Sequence, residues 1–548
     1  MDQDLDRKAL RYLEEVLQTK IYPGTEIMKD VGTHRFVKGS ARDDSVLVPQ
    51  PSNDPNDPLN WSLKWKAFCM FCATMISFTQ GLGPLAIAPL FEPYMEIFDS
   101  DLEGVVAFTG IAVIVLGFSN FIWVPIQTCF GRRPVLIVSS IICFGSSIWR
   151  AKATSYGSFM GASVLNGLGA GPGETAQPTI IADVIFLHDR GKYQTLYFAS
   201  YFASLTLGPM IAGPMAQKYG PESFWWLNTA LTGLTIICCI FLFPETRYNR
   251  DASGSHGLQH TLPSSKDEVR EIEDANTSST PIKVEASEPA TTESTQDPWL
   301  GRGKPSKQQW KLIQPYHGNI LMEIWLPWRL WSFPIIQFSA FVVSWSASNF
   351  LVVNLSQSQA FAAPPYNFGS GKIGLFNLAT FIGTLIGLFT AGPLSDAIAA
   401  RLTKRRNGVR EPEMRLLTMV PYVLLMIIGD IIVAVGYQKG WDWKIIVIVG
   451  YTCIGIQVAA LPAISSTYAI DSYKPVTGAI FVMVTVNKNV WGYGVSKFLT
   501  PWVLKSGFIP PILTNMALTV FFCATSVVFW FAGKRFRGWT KESKVHSM

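Results

Sequence analysis

Long apolar segments alternate with short polar ones along almost the whole chain of 548 residues. A helix that crosses a lipid bilayer needs about 20 consecutive, mostly apolar residues. Backbone groups find no hydrogen-bond partner in lipid outside their own segment, so such segments must be helical. The pattern predicts an all-α polytopic membrane protein. Its twelve transmembrane helices are predicted at about 66–90, 104–126, 134–151, 158–186, 193–215, 223–244, 331–355, 372–396, 415–436, 445–470, 476–498 and 511–533.

Polar stretches divide these spans into two groups of six. Residues 250–298 are rich in Ser, Thr, Glu and Pro and have no apolar periodicity. That composition is typical of disordered linkers, because it cannot bury enough apolar surface to fold. The expected organisation is an N-terminal tail at 1–65, a six-helix half at 66–244, a largely disordered linker at 245–330, a second six-helix half at 331–533 and a C-terminal tail at 534–548.

Composition and charge support membrane insertion and indicate its direction. The chain is 49% hydrophobic and 15% charged, whereas soluble domains carry roughly 25% charged residues. The net charge of +6 does not indicate nucleic-acid binding, because Lys and Arg are not gathered on one soluble domain. They concentrate in the tails and in the loops after even-numbered spans, as cytoplasmic segments do. We therefore predict that both termini and the linker are cytoplasmic, and we expect the plasma membrane as the location.

The eight cysteines fall in or beside predicted spans. No outer loop offers a pair, so the sequence predicts no disulfide framework. No spacing of Cys and His suggests zinc, and no nucleophile constellation appears, so we expect no metal, no cofactor and no enzymatic activity. Membrane lipids are the expected partners of such a chain, and we expect a monomer.

Glu174 lies inside the fourth predicted span, between Pro172 and Pro178. A carboxyl group at membrane depth is costly and is rarely retained without a function. Each proline also frees the backbone carbonyl four residues earlier, at Leu168 and at Glu174 itself. Broken helices of this kind form substrate and ion sites in carriers. We predict that Glu174 binds a cation or a proton. The alternative is a neutral Glu174 that only satisfies the freed carbonyls.

Two more charged residues within or at the ends of spans are candidates. Lys488 lies in the middle of span 11, where an ammonium needs an acid or a water-filled cavity. Glu174 and Asp430 are the mid-span acids available, so Lys488 forms either a structural ion pair or part of a gating or coupling device. Asp183 follows Glu174 at a spacing that places it on the opposite helix face. We predict that Asp183 is a cap or gate residue at the cytoplasmic end.

The two halves share a faint internal repeat. After span 2, a segment that begins at Pro125 ends in Gly-Arg-Arg-Pro at 131–134. After span 8, a similar segment contains Pro393 and Asp396. Aligning the two prolines places Thr128 opposite Asp396. Two six-helix halves related by a repeat are typical of one transporter architecture.

With these motifs in order, the chain resembles the major facilitator superfamily over nearly all residues outside the linker. Within it, the chain resembles fungal twelve-span drug:proton antiporters, including the branch of cation, polyamine and histidinol carriers. The segments that carry this resemblance are Pro-Leu-Asn-Trp-Ser at 58–62, Gly-Arg-Arg-Pro at 131–134, residues 182–191 after span 4, Gly-Pro-Met-Ile-Ala-Gly at 208–213, Phe-Pro-Glu-Thr at 243–246 and residues 406–416 between spans 8 and 9.

The resemblance implies a major facilitator fold in which spans 1, 4, 7 and 10 line a central cavity. It therefore implies Trp345, Asn349 and Gln457 as ligand contacts beside Glu174 and Lys488, although such side chains also serve packing and interhelical hydrogen bonds. Asp430, in span 9, is expected to be structural. The implied gate residues are Gly131, Arg132, Arg133, Asp183, Asp396 and Arg401, and the implied antiporter-like motif is Gly208, Pro209 and Gly213.

The sequence departs from the family pattern in two places. Thr128 stands where the loop motif has an acid, and Ser163 stands where span 4 carries an arginine credited with proton coupling. The implied function is secondary transport of a small organic molecule by alternating access, as proton-coupled efflux of a drug-like compound or secondary metabolite. The alternative is uptake of organic cations or polyamines. A nutrient sensor is less favoured, because the C-terminal tail is short, and the two-fold repeat argues against a channel.

Overall fold

The structure is a computed structural model that describes residues 22, 25–27, 51, 52, 54–248, 300–316, 318–406, 409–473 and 476–540. The predicted disordered segment 250–298 and most of both predicted tails lie outside these ranges.

Sixteen α-helices occur in the described residues. In chain order they are α1 (Leu63–Ala86), α2 (Phe91–Phe98), α3 (Leu102–Phe130), α4 (Arg132–Lys152), α5 (Tyr156–Ala170), α6 (Pro172–Val184), α7 (Leu187–Tyr219), α8 (Glu222–Leu242), α9 (Ile320–Leu330), α10 (Pro334–Phe361), α11 (Ser370–Arg405), α12 (Met419–Lys439), α13 (Thr452–Ser472), α14 (Thr477–Ser506), α15 (Ile509–Ala524) and α16 (Ser526–Trp539).

Shorter elements extend or connect these helices. A 3-10 segment at Pro412–Thr418 leads into α12, and a π-helical segment at Ile445–Tyr451 leads into α13. Strands β1 (Glu26–Ile27) and β2 (Val409–Arg410) pair antiparallel, so part of the N-terminal tail contacts the segment between α11 and α12.

Every predicted span coincides with helix, which confirms the all-α polytopic fold class. Spans 4 and 12 each consist of two helices, α5 with α6 and α15 with α16. Among the described residues, nine helical stretches are long and apolar enough to cross a membrane by length and composition alone. Spans 4, 5 and 11 lie outside that set. Their glycines, prolines and polar residues lower their hydropathy, and these same spans carry the candidate site described below.

The first six spans and the last six pack along two long seams. Helix α3 of the first half packs along α14 of the second, and α7 packs along α11. The end of the bundle that contains the α3–α4 junction and α9 is called the linker end here. It is the end that the charge pattern predicts to be cytoplasmic.

Part of the predicted linker, 245–330, is ordered at the linker end. Helix α9 contacts both α3 and α14, so it touches both sides of one seam. Gly303 exchanges backbone hydrogen bonds with the segment before α1, donating to Asn60 at 2.9 Å and accepting from Ser62 at 3.0 Å. The sequence did not predict α9, because an eleven-residue helix is too short to span a bilayer.

Candidate functional site

The site forms where span 4 is broken between α5 and α6. Helix α6 begins at Pro172, and the carbonyl of Leu168 accepts a hydrogen bond from Trp123 Nε1 at 2.7 Å. The backbone carbonyl of Glu174, freed by Pro178, accepts one from the Tyr197 hydroxyl at 2.8 Å. Side chains of α3 and α7 therefore satisfy both freed carbonyls. The Glu174 carboxyl is not needed for that purpose, so its position requires another explanation.

The Glu174 carboxylate contacts a lysine from the other half of the molecule. Lys488 Nζ of α14 lies 2.5 Å from Glu174 Oε1. The Tyr201 hydroxyl of α7 donates to the same oxygen, and Asn489 Nδ2 lies 3.3 Å from Glu174 Oε2. Both carboxylate oxygens are thus hydrogen-bonded, and a counter-charge neutralises the group. The predicted intramembrane acid and intramembrane base form a single ion pair.

Tyr201 completes the surroundings of the ammonium group. Lys488 Nζ lies 2.9 Å from the Tyr201 hydroxyl oxygen and 4.8 Å from the centre of the Tyr201 ring. An ammonium is attracted to an aromatic face at such a distance. The carboxylate, the hydroxyl and the ring together form a receptor for a positively charged nitrogen.

The ion pair is buried. Glu174 is 2% exposed, and the Lys488 side chain is 14% exposed. Separating the partners would leave a charge without compensation in a medium of low polarity, which is strongly unfavourable. Because the partners belong to different halves, the pair also holds the two halves together at this depth.

The pair lies on the wall of a cavity between the halves. Its other lining is mainly apolar and comes from α1, α3, α7 and α10, including Pro84, Leu116, Phe202 and Phe350. The free volume is about 60 Å³, whereas pockets for drug-sized ligands measure roughly 300–1,000 Å³. In this structure the cavity is therefore closed to a ligand of that size.

The candidate ligand contacts of spans 7 and 10 lie elsewhere. Trp345, Asn349 and Gln457 are buried but are not among the residues that line this cavity. Trp345 packs on Trp491, with ring centres 4.6 Å apart. Gln457 Oε1 accepts from the Ser346 hydroxyl at 2.8 Å.

Asn349 belongs to a polar cluster with the second mid-span acid. Its Nδ2 donates to Asp430 Oδ2 at 2.6 Å, and its Oδ1 accepts from Asn515 Nδ2 at 3.2 Å. These three residues lie on α10, α12 and α15, all in the second half. Asp430 and Lys488 are therefore not brought together, and from span 7 the cavity receives Ala347, Ser348, Phe350 and Leu351 instead.

Three residues of this site were not predicted from the sequence, namely Tyr197, Tyr201 and Asn489. Tyr197 and Tyr201 are one helical turn apart and therefore lie on one face of α7. That spacing in a span of low hydropathy was an available signal. Asn489 directly follows Lys488, and no feature of its local sequence distinguishes it.

Gate candidates of the first half meet at the linker end around an acid that was not predicted. Glu245 accepts from the backbone N–H groups of Arg132 at 2.9 Å and Arg133 at 3.0 Å, at the start of α4. A helix N-terminus favours an anion in this position. Gly131 has φ +111°, and a Cβ there would lie 2.3 Å from Glu245 Oε2, so a larger residue does not fit. The Arg132 side chain pairs with Asp183, Nε to Oδ2, at 3.0 Å.

The second half has a corresponding cluster with different members. Arg415 pairs with Asp396 at 2.8 Å and with Asp471 at 3.0 Å. Arg401 is exposed and lies outside these ion pairs. The predicted latch residues thus make the described ion pairs within their own halves, Arg132 with Asp183 and Asp396 with Arg415.

A second ion cluster lies at the same end, around the segment that follows strand β2. The Arg537 side chain is fully buried and contacts both Glu411 and Glu413, the latter at 2.9 Å. Lys534 Nζ lies 3.1 Å from Glu411. Burial alone would raise the pKa of the Glu411 carboxyl, but Arg537 and Lys534 outweigh burial and hold it below its usual value. This cluster attaches the end of α16 to the segment before α12.

The antiporter-like motif is a site of close helix packing. A Cβ at Gly208 would lie 2.5 Å from the Leu82 carbonyl of α1, and one at Gly213 would lie 2.5 Å from the Ser370 carbonyl of α11. A Cβ at Gly374 of α11 would lie 2.7 Å from the carbonyl of Pro209. These residues therefore let α7 approach α1 and, across the seam, α11. Within the described residues, no group of three or more His, Cys, Asp or Glu could hold a metal.

Comparison with known proteins agrees with this architecture. The model of the Major Facilitator Superfamily matches residues 67–492. An uncharacterised MFS-type transporter of Schizosaccharomyces pombe is 26% identical, over 91% of this chain and 89% of its own length. The multidrug transporter AQR1 of Candida glabrata is 24% identical, over 78% of this chain and 69% of its own length.

A solved structure shows the same fold. The proton:xylose symporter XylE, with bound 6-bromo-6-deoxy-D-glucose, aligns with a TM-score of 0.57 and 13% identity. The alignment covers 86% of this chain and 97% of XylE. With twelve spans in two halves, a cavity between the halves and a family match over most of its length, the chain belongs to the Major Facilitator Superfamily of secondary transporters.

Proposed function

We propose that the protein exports a positively charged, drug-like organic molecule in exchange for protons, with Glu174 as the site of the positive charge. The observation that carries this proposal is the carboxylate on the cavity wall. It contacts an ammonium that also lies against an aromatic ring, while Tyr197 satisfies the freed backbone carbonyl of Glu174. A carboxylate beside an aromatic face suits an organic cation. The family membership supplies alternating access, and the multidrug relative supports a drug-like substrate.

The closed cavity supports a cycle in which the halves separate at one end at a time. Residues of both halves line the cavity, and the Glu174–Lys488 pair connects them. A cation that competes for Glu174 weakens this connection and so favours separation. The ion clusters at the linker end, Arg132–Asp183 and Arg415–Asp471, stiffen each half as it moves.

Uptake of organic cations or polyamines is the second candidate. Exposed acids at the end opposite the linker favour it, because they raise the local concentration of cations. They are Glu92, Glu96, Asp99, Asp101 and Glu103. Antiport and symport respond oppositely to a pH gradient, so the direction of coupling separates the two candidates.

Transport of the fluorescent cation ethidium into vesicles with the full-length protein tests the proposal. An acidic interior should drive accumulation if protons are exchanged for the cation, and an alkaline interior should drive it if both move together. Glu174→Gln keeps the shape of the side chain and removes its charge, so it should abolish both responses at normal protein content. If wild-type transport does not depend on the pH gradient, the protein is a carrier that is not coupled to protons, and the proton-coupled assignment is rejected. A Glu174→Gln variant that transports and responds normally would reject the central role of Glu174.

We also propose that the protein lies in the plasma membrane with both termini and the linker in the cytosol. The distribution of Lys and Arg supports this orientation. Single cysteines at Ser100 and Ser264, in a version without other cysteines, should differ on intact cells. An impermeant thiol reagent should label position 100 and leave position 264 unlabelled. Equal labelling would reject the orientation.

A further inference from the structure

The Lys488 side chain already occupies the place that the proposed function gives to the substrate's positive charge. Its Nζ lies 2.5 Å from Glu174 Oε1 and 4.8 Å from the centre of the Tyr201 ring. Lysine has a four-carbon aliphatic stem that ends in an ammonium. The lysine side chain therefore shows which ligand chemistry the site accepts, namely a primary alkylammonium.

An incoming cation has to displace Lys488 to reach Glu174. Glu174 Oε1 already accepts hydrogen bonds from the Lys488 ammonium and the Tyr201 hydroxyl, and Oε2 accepts one from Asn489, so a second ammonium contacts the carboxylate by replacing Lys488. After displacement, Lys488 loses its counter-charge while its neighbours stay mainly apolar. An ammonium without a counter-charge in such surroundings is unfavourable, and the neutral amine is favoured instead.

No other described group at the cavity compensates the displaced ammonium. Glu174 from α6 and Tyr201 from α7 are the titratable groups of the lining that face Lys488. Helices α3 and α10, which pack on α14, contribute Val113, Leu116 and Ser348 with further apolar residues, none of which titrates. Helices α9, α13 and α15 contact α14 but contribute nothing to the lining.

We propose that Lys488 is the proton carrier of this transporter and that its proton leaves when an alkylammonium takes its place on Glu174. An N–H bond of the Lys488 ammonium breaks, the nitrogen keeps the electron pair, and the proton passes to bulk water beyond the apolar lining. One positive charge enters as one leaves, so the Glu174 site is neutral before and after the exchange. The reverse step, in which Lys488 regains a proton and returns to Glu174, releases the cation on the other side.

This inference rests on the proposed function and assigns its two roles to different residues. Glu174 stays ionised and binds either Lys488 or the substrate, while Lys488 gains and loses the proton. It also gives the protein a coupling group in a chain that has Ser163 in place of the span-4 arginine. The rival arrangement, in which Glu174 itself carries the proton, predicts a different effect of replacing Lys488.

Calorimetry of n-butylammonium binding to the full-length protein in detergent separates the two arrangements. Titrations in two buffers of different ionisation enthalpy give the number of protons released per ligand bound. The wild type should release about one proton, and its affinity should rise about tenfold per pH unit between pH 6 and 8, as linkage to a single proton requires. Lys488→Met removes the counter-charge of Glu174, and an isolated buried carboxyl is kept neutral, so this variant should still bind the cation, and any proton that it releases comes from Glu174.

Two further variants complete the test. Lys497→Met removes an exposed lysine from the same helix and should behave like the wild type. Lys488→Arg keeps a charge that cannot be lost in a protein, so it should bind at least tenfold more weakly and release no proton. Because it keeps a positive charge beside Glu174, it is the variant that decides between the two arrangements.

Proton release that persists in Lys488→Arg would overturn the inference and return the proton to Glu174, while the proposed function stands. Failure of both the wild type and Lys488→Met to bind n-butylammonium would overturn it as well. Unchanged ethidium transport by Glu174→Gln would instead reject the proposed function itself.

Discussion

Glu174 and Asp430 are both carboxyl groups buried in membrane-spanning helices, at 2% and 0% exposure, yet their surroundings differ. Glu174 lies on the wall of the central cavity and contacts Lys488 across the two halves. Asp430 lies within the second half, where Asn349 donates to one oxygen and the other oxygen has no partner. Among the described residues, no cation contacts Asp430.

The difference shows how a buried acid with a binding role can be distinguished from one with a structural role. A buried charge persists where a counter-charge and hydrogen bonds compensate it, whereas an isolated carboxyl is retained in its neutral form. A neutral Asp430 beside an amide is close in chemistry to an asparagine. Glu174 is therefore expected to depend on its charge, and Asp430 on its shape and hydrogen bond.

The largest expected effect comes from reversing the central pair. Glu174→Lys places two ammonium groups against each other, and Lys488→Glu places two carboxylates together. Each should destabilise the protein by about 3–5 kcal/mol, as breaking a buried ion pair does. The double variant restores opposite charges and should recover most of that loss. Thermal unfolding in detergent measures it, and a double variant no more stable than the single ones would show that the pair is not coupled.

The next effect compares the two acids directly. Glu174→Gln should lower cation transport at least a hundredfold, which corresponds to about 2.7 kcal/mol in the barrier. Asp430→Asn should stay close to the wild type, since it replaces a neutral acid by an amide. Both are measured as initial rates of ethidium transport, normalised to protein in the membrane. Equal losses in both variants would mean that Asp430 takes part in transport and would end the distinction.

A smaller effect is expected within the polar cluster of the second half. Asn349→Leu removes the donor to Asp430 and the acceptor of Asn515. Buried polar groups left without partners should cost about 1–2 kcal/mol of stability. Thermal unfolding should therefore shift downward, while the apparent affinity for substrate in transport assays stays unchanged. A changed affinity with unchanged stability would place Asn349 at the ligand, as the family resemblance implies.

The smallest effect is expected at Trp345. Its Nε1 is buried without a hydrogen-bond partner, and its ring packs on Trp491 away from the cavity lining. Trp345→Phe keeps an aromatic ring, so transport should change less than twofold. Tyr201→Phe is the matched aromatic substitution inside the site. It removes the hydroxyl that contacts Glu174 and Lys488 and should reduce transport more clearly. A larger loss of transport in Trp345→Phe than in Tyr201→Phe would place the binding site near span 7 instead.

The sequence predicted the helices well, because the free-energy cost of placing backbone groups and charges in lipid depends on the residues of each segment alone. The twelve apolar segments and the two prolines around Glu174 identified the spans and the break in span 4 without knowledge of their neighbours. The contacts of the gate candidates were harder to predict. Gly131, Arg132 and Arg133 were identified by motif, but Glu245, which binds their backbone, lies more than a hundred residues further along the chain.

Local reasoning also selected the two charges that meet at the centre, without pairing them. Lys488 had two possible partners in the sequence, Glu174 and Asp430, and both lie at membrane depth. Trp345, Asn349 and Gln457 were selected from the spans that line the cavity in relatives. A span has several faces, however, and these residues are not among those that line the cavity.

The sequence by itself therefore determined the number of spans and the presence of an acid and a base that lipid would not tolerate unpaired. Only the tertiary structure decided that Lys488 contacts Glu174, 314 residues away, and that the Tyr201 hydroxyl contacts both. It also decided that Asp430 is hydrogen-bonded by the Asn349 amide instead of by a cation. The physical reason is that the free-energy cost of placing a charged side chain in lipid depends on that residue and on whether its own segment is apolar, so the local sequence predicts it. Which two charged residues pair depends on which helix faces pack together. The packing of the two halves along α3–α14 and α7–α11 determines this pairing.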